Sequence, residues 1–136
     1  MSSLHLPALL AHDWSVGYPM TARSVGLARR QVRRRLTMWA WAGDAEDAVL
    51  VTSELVGNAV RYGRVPGHEL WLRLRELEDR VLVVDVSDPV RVLPEVRDDP
   101  EGESGRGLLV VTGLATKVEW FLREGVGKTV RAWLAP

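Results

Sequence analysis

Residues 68–86 read HELWLRLRELEDRVLVVDV, and this stretch decides the fold. From His68 to Leu77 the side chains alternate, with Leu70, Leu72 and Leu74 on one side and Trp71, Arg73 and Arg75 on the other, the period-two signature of a half-buried strand. Glu78 and Asp79 make a tight connection. Val81–Val86 is a β-branched run that pairs back on the first strand as a hairpin. Two antiparallel strands adjacent in sequence set the centre of a sheet.

Upstream of this hairpin the pattern turns helical. His12–Tyr18 reads as an edge strand, with Pro19 at its end, where a missing N–H is tolerated. From Thr21, as N-cap, to about Ala42, Val25, Leu27, Ala28, Val32, Leu36 and Trp39 recur at helical spacing, and Gly43 supplies a stop. Asp44 caps a second helix, with Glu46 and Asp47 in the first turn where the dipole favours negative charge, running to Tyr62 and ending at Gly63. Downstream, Pro89–Glu103 has no apolar period and reads as a long loop of the kind used for lids and binding segments. Ser104-Gly105-Arg106-Gly107 then opens a short helix over LLVVTGL, and Thr116–Arg123 and Val126–Leu134 form a second hairpin about Glu124-Gly125. The order predicts an α+β two-layer sandwich: a mixed, mostly antiparallel sheet with three helices on one face. Residues 1–11 are expected as a flexible tail and 12–136 as a single domain.

Composition narrows the function classes. Lys plus Arg and Asp plus Glu each number 18, so no global field favours direct contact with nucleic acid or an anionic membrane. The arginines at 29, 30, 33, 34 and 35 read as a solvated helix face. Cysteine is absent, which excludes thiol nucleophiles, disulfides and Cys-bound zinc. His5, His12 and His68 show no ligand spacing. With no leader pattern and no run of about 20 apolar residues, a cytoplasmic protein is the expectation.

Three features carry chemistry. Glu54 and Asn58, at i and i+4, share one face of the second helix beside the apolar stripe of Ala48, Val51, Leu55 and Ala59. A carboxylate and a carboxamide oxygen held together suit magnesium, which takes one or two protein oxygens plus phosphates and waters; a pair of exposed helix residues is the bland alternative. Gly105 and Gly107, after the long loop and before a helix, let backbone N–H groups approach an anion, although a lone GxG also fits a hinge. Asp88, ending VDVSDP, either accepts from a ligand amine or bonds its own backbone. Gly127-Lys128-Thr129 precedes a strand rather than a helix and lacks the first glycine of a P-loop.

In this order, ELVGNAVRYG, VSDP, a variable loop, SGRGLLVV and GKTV resemble the N, G1, G2 and G3 boxes of the Bergerat-fold GHKL ATPases. The chain looks most like the compact anti-sigma-factor serine/threonine kinase branch, over about residues 12–134. The resemblance implies that Asn58 coordinates magnesium and that Glu54 orients or deprotonates the attacking hydroxyl. It implies that Asp88 reads the adenine amino group and that Gly105, Arg106, Gly107 and Leu108 lie at the ATP phosphates. Thr129 would stand near the adenine and its bound water, and Val90–Glu103 would be the ATP lid. Val90 and Val92 stand where the family has glycines, and Tyr62 where a histidine is frequent. ATP and Mg are the implied cofactors, and a sigma factor or an anti-sigma-factor antagonist protein the implied partner of a homodimer. A non-catalytic module that sequesters a regulator is the alternative, and a domain that has lost nucleotide binding a third reading.

Overall fold

The computed structural model describes residues 9–92 and 103–136, with side chains from Gly107 onward in the second stretch. The elements are β1 (Leu10–Pro19), α1 (Ala22–Met38), α2 (Ala45–Tyr62), β2 (Glu69–Leu77), β3 (Leu82–Asp88), α3 (Glu103–Leu114), β4 (Lys117–Leu122) and β5 (Lys128–Leu134). The strands form one sheet in the order β1-β2-β3-β5-β4, so β3 is central and β1 and β4 are the edges. Every pairing is antiparallel. The α+β sandwich is as expected, but its sheet is purely antiparallel rather than mixed, because β3 joins β5 in the same antiparallel sense as the hairpin partners.

Alternation decides which side is core. Leu70, Leu72 and Leu74 of β2, Leu82, Val84 and Val86 of β3, and Val130, Ala132 and Leu134 of β5 are buried in one cluster with Val32 and Leu36 of α1, Val51 and Leu55 of α2, and Leu108 and Val111 of α3. All three helices thus cover one face. On the other face Asp85 accepts from Arg131 Nε and Nη2 at 2.7 and 2.9 Å and from Arg75 Nη2 at 3.0 Å, while Arg73 forks onto Asp13.

Two boundaries in the first half of the chain differ from expectation. β1 begins at Leu10, so residues 10 and 11, expected in the tail, belong to the sheet; Leu10 pairs with Leu77, and Glu78 N–H donates to Leu9 O. Residues 1–8 of that tail lie outside the described chain, as do residues 93–102 of the expected lid. Thr21 sits at the N-cap of α1 in extended conformation, but its side chain makes no capping bond. That helix stops at Met38, not Ala42, because Ala40 turns left-handed (φ 50°) and Trp41 folds into the core, its indole N–H donating to Arg80 O at 2.8 Å. Gly43 does not stop the helix; a Cβ there would overlap the Trp41 ring. For α2 the reading holds at both ends: Asp44 accepts from Glu46 N and Asp47 N, and Gly63 is the C-cap.

Candidate functional site

Asp88 is the last residue of the central strand and shares parity with Val84 and Val86, so its carboxylate points to the helix side. It is 5% exposed. Its cross-strand partner is Lys128, whose Nζ donates to Asp88 Oδ1 at 2.9 Å and to Val90 O at 3.2 Å. Val90 N also donates to Oδ1 at 2.9 Å, so the loop-starting role open to Asp88 is realised. Two glycines let backbone close on this group. A Cβ on Gly63 would overlap the Asp88 carboxylate, which brings the end of α2 directly onto it. At Gly127, φ is +63° and a Cβ would overlap the Asp88 carbonyl oxygen, so both shape and conformation require glycine.

Glu54 and Asn58 lie one turn apart at the edge of the buried stripe of α2, which includes Ala48, Val51, Leu55 and Ala59. Both are half-buried. They converge beneath α3: a Cβ built on Gly107 would stand 2.7 Å from Glu54 Oε2, 3.3 Å from Asn58 Nδ2 and 3.4 Å from Asn58 Oδ1. Any side chain at 107 would displace these polar groups. The structure therefore joins Glu54, Asn58 and Gly107 in one place.

The glycines do not precede the helix as expected. α3 begins at Glu103, so Gly105 falls in its opening turn, whose N–H groups have no intrahelical acceptor, and Gly107 in the turn that follows. Leu108 and Val111, buried at i and i+3, seat this helix, and the small residues upstream extend its first turns. The backbone of Arg106 belongs to α3, while its side chain lies outside the description. Leu108 is 1% exposed and its side chain belongs to the core.

Thr129 is not brought to the Asp88 carboxylate. With Asp88 paired to Lys128 on the helix side, Thr129 faces the opposite side, where its hydroxyl lies 2.7 Å from that of Ser87. Lys128 is the residue that sequence reasoning missed. Its signal was parity: Val130, Ala132 and Leu134 are the apolar, inward positions of β5, and Lys128 continues that series.

The donor set at α2 fits magnesium. A carboxylate and a carboxamide oxygen are hard ligands, and their approach beneath Gly107 gives the one or two protein oxygens that such an ion takes.

An antiparallel sheet lies under the helices, with an acidic strand end at Asp88 and a Glu54/Asn58 helix face beneath Gly107. The family model of the histidine kinase-like ATPase domain matches residues 18–134, and the chain belongs to that family. It is thus an ATP-binding domain of the GHKL type. No curated protein matches the chain. Among the described residues no helix is long and apolar enough to cross a membrane.

Proposed function

We propose that the protein is an ATP-dependent serine/threonine protein kinase of the anti-sigma-factor type, which phosphorylates a small antagonist protein and so controls the availability of a sigma factor. The observation that carries this reading is the convergence of Glu54 and Asn58 beneath Gly107. Glu54 provides a carboxylate where a Ser or Thr hydroxyl would meet the γ-phosphate: the hydroxyl oxygen bonds to phosphorus, the bond to the β,γ-bridging oxygen breaks, and Glu54 takes the proton as ADP leaves. Asn58 would hold magnesium through Oδ1, and the ion would neutralise phosphate charge. A homodimer and a cytoplasmic setting belong to the same proposal. Incubating the protein with Mg-ATP and candidate antagonists should add one phosphate, read as a mass shift; Glu54→Gln should keep ATP binding and lose transfer by about a hundredfold or more. Full transfer by Glu54→Gln would remove Glu54 from the chemistry.

A second reading is a binding module that sequesters a regulator, with nucleotide only tuning affinity. Val90 and Val92 in place of glycine favour it. Co-purification with a sigma factor in the absence of phosphotransfer would support this alternative.

A further inference from the structure

Asp88 and Lys128 hold more hydrogen-bonding capacity than they spend. An ammonium has three N–H donors, and that of Lys128 uses one on Asp88 Oδ1 and one on Val90 O. Both hydrogen bonds to the Asp88 carboxylate fall on Oδ1, from Lys128 and Val90 N. Among the described residues no donor lies on Oδ2. The two side chains as a whole are 7% and 5% exposed. A donor on Lys128 therefore stands beside an acceptor on Asp88.

We infer that Lys128 is a base-reading residue: with Asp88 it presents a donor–acceptor pair that matches the N1 and N6 edge of adenine, and it thereby sets the preference for adenine over guanine nucleotides. On adenine a ring nitrogen that accepts lies beside an amine that donates, so Lys128 Nζ meets N1 while Asp88 Oδ2 meets the amine. Guanine and hypoxanthine invert both groups, setting N1–H against the ammonium and O6 against the carboxylate. The position is fixed by the strand register, since Lys128 is the cross-strand partner of Asp88 while Thr129 faces away. Because Nζ stays on Oδ1 throughout, the ion pair need not open for the base to enter. This inference rests on the reading of the domain as an ATP site.

The test changes the ligand as well as the protein. Calorimetric titrations with Mg and ATP, GTP or 1-deaza-ATP, in which N1 is replaced by CH, are run on the wild type and on Lys128→Met, which keeps the length of the side chain. The wild type should bind ATP at least about tenfold more tightly than either analogue, the cost of leaving a charged donor unpaired. Lys128→Met should bind ATP about tenfold more weakly and treat ATP and 1-deaza-ATP alike. Equal affinity of the wild type for ATP and 1-deaza-ATP overturns the inference while leaving the ATP site standing, as does N1 discrimination that survives in Lys128→Met. Should Lys128→Met not fold, the wild-type comparison decides alone. No binding of ATP by the wild type at millimolar concentration would overturn the ATP site and this inference together.

Discussion

Lys128 Nζ and Asp88 Oδ1 stand 2.9 Å apart as cross-strand neighbours, in side chains 7% and 5% exposed. A charge pair so enclosed is costly to form and more costly to halve, since removing one partner strands the other in low dielectric. Asp88→Ala should therefore destabilise the fold by about 3–5 kcal/mol. Urea unfolding measures it; a loss below about 1 kcal/mol, in the range of an exposed pair, would mean that solvent reaches the site freely.

The opposite face of the sheet offers a graded comparison. Asp85, 6% exposed, accepts from two arginines, and its hydrogen bond holds the Arg131 guanidinium above its ordinary pKa. Asp13, on the edge strand, pairs with Arg73 alone among the described residues, and both side chains are more than a third exposed. Asp85→Ala should cost about 2–4 kcal/mol and Asp13→Ala less than about 1 kcal/mol after screening by water and salt. Equal costs in denaturant melts would contradict this ranking.

Asp13 also sets a direction with pH. Its hydrogen bond to Arg73 lowers its pKa below the usual carboxylate value, so its contribution is present above that value and fades as pH falls through the lowered one. Stability of the wild type relative to Asp13→Asn should narrow below pH ~4. A gap that is constant from neutral to acid pH would remove the ion pair from the account.

Tyr18 gives the alkaline counterpart. Burial pushes its phenol up to about 12, and its hydroxyl donates to Gln31 Oε1. A folded-state pKa raised above 10 contributes stability that is complete below 10 and lost as pH rises toward 12. Wild type should lose stability over that window, and Tyr18→Phe should lose less, while starting about 1 kcal/mol lower for the missing hydrogen bond. Parallel curves for the two proteins would show that the phenol is solvated.

What could be read in the sequence was whatever depends on neighbours along the chain. Alternation from Leu70 to Leu74 found the core face of β2, and Asp44 and Gly63 bracketed α2 because caps are local. The end of α1 was hidden, since Trp41 leaves the helical path for an acceptor on Arg80, 39 positions away. The start of α3 was hidden because glycine favours a loop locally, whereas Leu108 and Val111 anchor these turns on the core. Of the site, Glu54 and Asn58 were legible from i,i+4 spacing, and their approach by Gly107 was not, being a contact between helices. Thr129 drew attention as the hydroxyl of GKT, while strand parity turned Lys128 to Asp88 instead.

The close packing at Gly107 predicts an effect on function larger than on stability. Gly107→Ala sets a methyl 2.7 Å from Glu54 Oε2, so Glu54 and Asn58 must give way. ATP affinity should fall by about tenfold or more, for a stability change of about 1 kcal/mol or less, because the displaced side chains are only half-buried. Unchanged ATP affinity would separate Gly107 from the site.

The central claim is that the Glu54/Asn58 face of α2 serves a magnesium-dependent ATP site. Its most direct test is calorimetric titration with ATP, with and without magnesium, of the wild type beside Asn58→Ala. The account predicts magnesium-dependent binding by the wild type that falls by about tenfold or more in Asn58→Ala while its melting temperature holds. Binding of equal strength in both proteins, or none by the wild type at millimolar nucleotide, would contradict it.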